Sequence, residues 1–366
     1  MYTQQTHYFL GANSPQGFYS LYDELMDLKT GDTVYILKGG PGCGKSSFMR
    51  KIADEMIQNG LEVEYIECTG DPDSLDAIVI PALKTAYVDG TAPHVIEPKY
   101  PAVMEQYINL GEFYDIEPLK QQKETVMELN QAYKALYMRA YDCVAAAYGV
   151  VRQLSDLVVD AAAIETVHKR GKGIIAREIP KNKKAKREGA QIRRFLSGFT
   201  CKGHIFRQDT VDTLAKRVYV LDNNLGLSDV LITDIAAAAK EAGYDAILCP
   251  SPLNPETLEH LIIPELSLAF VSRNPYMDYE GEHYRHIRLD AMAEGEKLRS
   301  CKARIRFSKK MFGILMQEAE DTLRDAKVLH DELEAVYNPH VDFDGVYDLA
   351  ESHVQELLAK KIKKRP

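Results

Sequence analysis

Residues 33–58 read TVYILKGGPGCGKSSFMRKIADEMIQ. An apolar run comes first, glycines at close spacing follow, and a Lys-Ser pair then leads into apolar residues at every third or fourth position. This order predicts a buried strand, a glycine-rich turn and an amphipathic helix. The turn matches the complete phosphate-loop pattern G-x-x-x-x-G-K-S, and the flanking strand and helix are the context that the pattern requires.

The residue types of this loop suit a bound phosphate. Glycines at Gly39, Gly42 and Gly44 allow the backbone N–H groups to turn toward a β-phosphate, because they tolerate unusual dihedral angles. We predict that Lys45 bridges the β- and γ-phosphates and that the Ser46 hydroxyl ligates Mg²⁺, beside the positive end of a helix dipole. The predicted nucleotide-binding set also includes Gly40, Pro41, Cys43 and Ser47.

Two interpretations of Cys43 follow from its position. A thiol beside Lys45 and a helix N-terminus can have a lowered pKa and be oxidisable, whereas a small buried side chain only fills the loop. The six cysteines of the chain include no C-x-x-C pair, which argues against a disulfide framework or a zinc site.

The chain contains an internal repeat, because the pattern of residues 7–110 recurs in the same order over residues 193–289. The matching segments include Asp71-Pro72-Asp73 and Asn254-Pro255-Glu256. Each of these two segments is typical of a helix start, with an N-cap residue, a proline at the first helical position and an early acid.

The second copy of the loop, residues 223–230, reads NNLGLSDV. Aligned on its strand, it places Asp229 opposite Lys45 and Val230 opposite Ser46. A carboxylate would repel the phosphates that the lysine binds, and a valine cannot ligate Mg²⁺. We therefore predict one active and one degenerate nucleotide domain.

Residues that the second copy lacks are candidates for function. An apolar strand ends in Asp89, where the second copy has Ser272, and we predict that Asp89 is the Walker B aspartate that holds Mg²⁺. Glu67 aligns with Leu248, and His94 has no histidine counterpart, so either of them can orient the attacking water. The alternative is that both are solvated polar residues in loops.

Helical regions follow each copy. Apolar or small residues recur at heptad spacing over 126–164 and again over 298–336, where Asn338-Pro339 ends the pattern, and 346–361 reads as another helix. We expect these coiled-coil-like arms to pack on each other or on the sheets. The alternative is that they hold a protein partner.

Residues 169–194 carry eleven Lys or Arg against two Glu and have no aromatic residue for stacking on bases. This segment is a solvated linker, a contact for nucleic acid or an arginine finger for nucleotide phosphates. We also predict that residues 181–187 dock near the degenerate loop or across the active one. The acidic, polar surface expected at the degenerate loop consists of Asp222, Asn223, Asn224 and Asp229.

The composition indicates a soluble globular protein of the cytoplasm. The 366 residues are 45% hydrophobic and 27% charged, the net charge is −9, and no apolar run approaches the ~20 residues that span a bilayer. The first residues do not form a signal peptide.

The chain resembles an uncharacterised bacterial family of duplicated P-loop (Walker A) ATPases over nearly its whole length. The resemblance implies ATP binding, and the degenerate second loop departs from a family whose members often have both loops intact. The segments that carry the resemblance are Phe9-Leu10-Gly11, Gly17-Phe18, 37–46, 71–76 and 89–94.

The sequence thus predicts an α/β protein with two tandem P-loop NTPase-like domains, each a parallel sheet with flanking helices followed by a long helical arm. The function expected is that of an ATPase that uses ATP and Mg²⁺ and moves its arms; no Asn-Lys-x-Asp motif for guanine is present. The alternatives are a nucleotide or small-molecule kinase and an ATP-gated binding module. The predicted domains are residues 1–115 (active), 116–190 (arm and basic linker), 191–290 (degenerate) and 291–366 (C-terminal arm).

Overall fold

The computed structural model of the chain describes residues 5–26, 32–93, 95–293 and 295–363. These residues form two similar α/β halves, each with a six-stranded mixed sheet and flanking helices. The α/β class and the duplication expected from the sequence are confirmed at this level.

In the first half the sheet order is β1-β5-β6-β7-β4-β8, and β2 and β3 form a separate hairpin. The elements are β1 (Gln5–Tyr8), β2 (Gly11–Ser14), β3 (Gly17–Ser20), β4 (Thr33–Lys38), α1 (Lys45–Gln58), β5 (Val63–Glu67), β6 (Leu75–Ile80), β7 (Thr85–Asp89) and β8 (Glu105–Asn109). β6 is antiparallel to both neighbours, and the other pairs are parallel. The prediction of a parallel sheet is wrong here, because the turns on either side of β6 are shorter than the crossover of about a dozen residues that a parallel pair needs.

The second half repeats this order as β9-β13-β14-β15-β12-β16, with β14 antiparallel and the hairpin β10–β11 apart. Its strands are β9 (Gln191–Arg193), β10 (Ser197–Thr200), β11 (Gly203–Phe206), β12 (Arg217–Asp222), β13 (Ala246–Ser251), β14 (Asn254–Ile263), β15 (Leu268–Arg273) and β16 (Arg285–Ile287). Two helices of this half, numbered in chain order after those of the first arm, are α5 (Gln208–Leu214) and α6 (Ser228–Ala242).

The two predicted helix starts are turns or strand residues. Asp71 accepts hydrogen bonds from the Asp73 N–H at 3.2 Å and from the Ser74 hydroxyl at 3.0 Å, and β6 then begins. The segment Asn254-Pro255-Glu256 opens β14. An Asp or Asn before proline satisfies a turn as well as a helix N-terminus, so the local pattern did not distinguish the two.

The two sheets contribute to one shared core. Alternate residues such as Val34 and Ile36 of β4 and Val218 and Val220 of β12 belong to one buried cluster that spans both halves. At its centre Phe9 and Phe195 exchange two backbone hydrogen bonds, each 2.9 Å long. The outer face of each sheet packs on helices instead.

The arms are long helices that pack along each other, as one of the two sequence interpretations expects. α3 and α8 meet in two buried clusters. One contains Val144 of α3 and Phe312 of α8, and the other contains Ala140 of α3 and Leu323 of α8. The first seam does not run through to residue 164, because Asp160 caps a new helix. The arm helices are α2 (Ile116–Gln121), α3 (Lys123–Val158), α4 (Ala161–Glu178), α7 (Gly295–Ser300), α8 (Lys302–Tyr337) and α9 (Phe343–Lys363).

Each arm ends on the opposite half. α4, which follows the first half, packs on α6 of the second, and α9, which follows the second half, packs on α1 of the first. Val346 and Val354 of α9 lie in the core on the outer face of the first sheet. The domains expected from the sequence are consecutive segments of the chain, whereas each arm packs on the half that does not directly precede it.

Residues 181–187 of the basic segment lie at the far end of α6 from the degenerate loop. Arg187 forms two hydrogen bonds with Asp245, at 2.9 and 3.0 Å, and the Gly189 N–H donates to the Lys240 carbonyl at 2.9 Å. A helix of this length separates its two ends by roughly 20 Å. The predicted docking on the degenerate loop is therefore wrong, and the contact is with the C-terminal end of α6. Among the described residues, no helix has the length and apolar character needed to cross a bilayer.

Candidate functional site

The glycine-rich loop joins β4 to α1. Gly42 has φ 68° and Gly44, the N-cap of α1, has φ 85°, which are conformations that favour glycine. The backbone thus turns sharply before the helix, as a phosphate-binding loop requires. The loop lies at the carboxyl end of a central strand, where open α/β sheets bind ligands.

Lys45 lies folded over this loop. Its ammonium group donates to the Gly39 carbonyl at 2.8 Å and to the Gly40 carbonyl at 2.9 Å, and it is 3.6 Å from Asp89 Oδ2. The side chains of Lys45 and Asp89 are only 12% and 14% exposed, so their attraction is weakly screened by solvent. The sequence predicted both residues, and the fold brings them together.

Ser46 and Asp89 each have one oxygen engaged nearby. The Ser46 hydroxyl oxygen accepts from the Leu75 N–H at 3.0 Å, and Asp89 Oδ1 accepts from the Thr91 N–H and hydroxyl at 2.8 and 2.6 Å. Hydroxyl and carboxylate oxygens are ligands that suit Mg²⁺. The residues present therefore fit a nucleotide with its magnesium ion.

Sequence reasoning missed Asp76, which is 3% exposed and is the second residue of β6, next to this site. The β6–β7 register, continued by one residue, places it opposite Asp89. Tyr22 donates to Asp76 Oδ2 at 2.6 Å, and burial raises the pKa of Tyr22 well above its usual range, with both carboxylates adding to the effect. The second copy has an acid at the equivalent position, Glu259. Asp76 was therefore attributed to the fold, because only residues that the second copy lacks are candidates for function.

The C-terminal arm covers the loop. A Cβ atom at Gly42 would clash with the side-chain amide of Asn338 and lie 3.1 Å from the Glu334 carbonyl. Lys327, about two turns before Glu334 on α8, lies 3.4 Å from Asp71. On another side the Tyr114 hydroxyl donates to the Pro41 carbonyl at 3.0 Å. The loop glycines are thus required by close packing as well as by their dihedral angles.

Three further predicted residues have plainer surroundings. Cys43 is 1% exposed and burial raises the pKa of its thiol, with Lys45 opposing this in part, so the space-filling interpretation fits better. Glu67 Oε1 lies 2.9 Å from His7 Nδ1 within the first half, and Glu67 Oε2 pairs with Arg207 of the second half, so both its oxygens are engaged by protein groups. His94 lies outside the described residues, and Ser47 is exposed on α1.

The structure corrects the alignment of the second loop. The Leu258 N–H donates to Asp229 Oδ1 at 2.7 Å, as the Leu75 N–H does to Ser46, so Asp229 replaces Ser46 and not Lys45. Ser228, the first residue of α6, takes the place of the lysine. The second loop is one residue shorter, and a gap of this kind is not visible in a strand-anchored alignment.

The counterpart of Glu67 is also corrected, by two residues. It pairs across β5 and β6 with Leu75, as Pro250 pairs with Leu258, so its counterpart is Pro250 and not Leu248.

Three backbone N–H groups of the second loop donate to nearby side chains. Those of Asn224 and Leu225 donate to Asp290 at 3.2 and 3.1 Å, and that of Ser228 donates to Asn223 Oδ1 at 3.0 Å. Burial raises the pKa of Asp290, and the loop donors lower it. Protein oxygens thus occupy donors that a phosphate would need.

Comparisons of the chain with protein-family models, with curated proteins and with solved structures gave no match.

Proposed function

We propose that the first half binds ATP with Mg²⁺ at residues 39–47 and hydrolyses it, as a P-loop ATPase with one nucleotide site per chain. The observation that carries this proposal is the buried Lys45 ammonium at the centre of the loop, with Asp89 Oδ2 3.6 Å away. Binding of a triphosphate would replace the two loop carbonyls as partners of Lys45. When bound, Mg²⁺ supplies charge that neutralises the phosphate oxygens.

The second half does not share this role in the proposal. Ser228 and Asp229 replace the lysine and the hydroxyl ligand, and Asn223 and Asp290 accept hydrogen bonds from the loop N–H groups. An added carboxylate at the magnesium position does not compensate for the loss of the lysine charge.

Isothermal titration with ATP and Mg²⁺ tests the proposal. We expect one site per chain, abolished by Lys45→Ala and kept by Ser228→Ala, which is the matched change in the second loop. Two equal sites, no binding by the wild type, or equal binding by Lys45→Ala would each contradict the proposal. Phosphate release without an added acceptor would separate the ATPase from a phosphotransferase.

A second candidate function is that of an ATP-gated binding module, which the packing of the arm on the loop favours. Asn338 and Glu334 touch Gly42, so a change in the loop on binding ATP would act directly on α8. Proteolysis of the arm helices at fixed protease concentration, with ATP or with a non-hydrolysable analogue, tests this function. Equal protection by both nucleotides and negligible phosphate release would support the gate, whereas protection that requires turnover would support the ATPase.

A further inference from the structure

The degenerate loop borders a cavity of about 230 Å³, far larger than the space that one water occupies. It lies between the second loop, the β13–β14 turn and the two long arm helices. Its polar lining includes Ser228, Asp229, Ser251 and Glu259, and its apolar lining includes Tyr148, Leu225, Leu253, Tyr276 and Phe312. A mostly apolar wall with a few convergent polar groups is the usual form of a small-molecule site.

Glu259 is a buried carboxyl group in the lining of this cavity and is 1% exposed. Its Oε1 accepts from Asn274 Nδ2 at 2.8 Å and from the Tyr276 hydroxyl at 3.2 Å. Its Oε2 has no hydrogen-bond partner within the described part of the chain. His260 Nδ1 accepts from the Ser272 N–H, so the neutral ring has its N–H at Nε2, which lies 3.7 Å from Oε2, beyond hydrogen-bond distance. A buried acceptor without a hydrogen bond costs free energy, so a closer donor would stabilise the site.

No cation of the described residues compensates the charge of Glu259. The nearest basic group is His260 Nε2 at 3.7 Å, and burial lowers the pKa of His260 to about 3, so that this imidazole is neutral. Arg152 and Lys309 line the cavity, but both are exposed at its rim, where solvent screens them. Asp156 and Asp229 balance them there, so the buried part of the cavity is acidic.

We propose that this cavity is a second ligand site, which takes a small amine-bearing molecule with an apolar body. The ammonium group would donate to Glu259 and supply the missing positive charge. The body of the ligand would contact the aromatic wall, where Tyr276 and Phe312 stack with ring centroids 5.2 Å apart. The second loop has no lysine, and its Asp229 adds a carboxylate to the cavity lining, so the cavity favours a cation over an anion. This proposal does not depend on nucleotide binding in the first half.

Benzylamine is a suitable probe, with benzyl alcohol and benzoate as neutral and anionic probes of the same shape. At pH 8, above the raised pKa of Glu259, titration calorimetry and ligand-observed NMR on the full chain should show that benzylamine binds with a Kd of up to about 10 mM, as expected of a ligand of so few atoms. We expect the alcohol and the acid to bind at least about tenfold more weakly, the equivalent of one lost charge-assisted hydrogen bond.

Two variants locate the site. Glu259→Gln keeps the shape and should reduce benzylamine affinity at least about tenfold, since it removes the charge, and Ser308→Leu should block the cavity from α8. Glu241→Gln, the same change at an exposed position of α6, is the control and should bind as the wild type does. Equal binding of the three probes, no binding of benzylamine, or unchanged binding by both cavity variants would overturn the proposal.

Discussion

Glu259→Gln should stabilise the protein at pH 8 and have almost no effect on stability near pH 4.5. Burial raises the pKa of Glu259 from 4.5 to about 7, while Tyr276, Asn274 and Ser251 lower it in part. The folded state therefore holds a proton that the unfolded chain releases more readily. The stability that this proton contributes is complete below the unfolded pKa and is lost as pH rises through the folded pKa.

The size of the effect follows from the pKa difference. A shift of this size corresponds to about 3 kcal/mol, since each pH unit is worth about 1.4 kcal/mol. His260 stays neutral over the same pH range because its own pKa is lowered to about 3. An amide has no charge to lose, so the variant should gain most of this free energy above pH 7.

Urea denaturation of the wild type and the variant at several values between pH 4.5 and 8 measures the difference directly. Comparison of the two proteins at each pH cancels the titration of every other group. A difference in unfolding free energy that does not change with pH would refute the reasoning, and so would a variant that is less stable at pH 8.

Two other changes test the packing of the halves and of the loop. Arg194→Ala removes a side chain that is 4% exposed and paired with Glu64 of the first half, so we expect the free energy of unfolding in urea to fall by about 3 to 5 kcal/mol. Arg187→Ala, which removes an exposed ion pair, should lower it by less than about 1 kcal/mol. Gly42→Ala should destabilise the chain by more than Gly60→Ala, because both have positive φ but only Gly42 has a neighbour within 4 Å. Thermal melts compare these two variants, and equal losses would show that the arm packing on the loop contributes nothing.

Local patterns of the sequence predicted the loop, the helix after it and the arms, because each depends on residues near one another in the chain. Lys45 and Asp89 could be assigned from an intact motif and from a difference between the two copies. The antiparallel strands β6 and β14 could not, since an apolar run has the same appearance in either direction. The shortened second loop was also hidden, because a single missing residue between a strand and a helix leaves both patterns intact.

The packing of each arm on the opposite half could not be predicted from the sequence. The apolar face of an amphipathic helix indicates that the face is buried, but it does not indicate which sheet it packs against. α4 and α9 each carry an apolar face that either half could accept. Asp76 was missed for a related reason: it recurs as Glu259, and a residue kept in both copies was assigned to the fold. In the structure Asp76 lies opposite Asp89, and Glu259 lines the cavity beside the second loop.

One continuous helix connects the two sites. Ser308 and Phe312 of α8 line the cavity of the second half, and Glu334 and Asn338, the latter just past the end of α8, touch the loop of the first. A helix transmits a displacement along its length because its backbone hydrogen bonds resist bending, and these contacts are roughly 35 Å apart along its axis. A ligand in one site can change affinity at the other only if it binds more tightly when α8 is in one of two positions. The factor by which each ligand changes the affinity of the other must then be the same. ATP should therefore change benzylamine affinity by the same factor by which benzylamine changes ATP affinity.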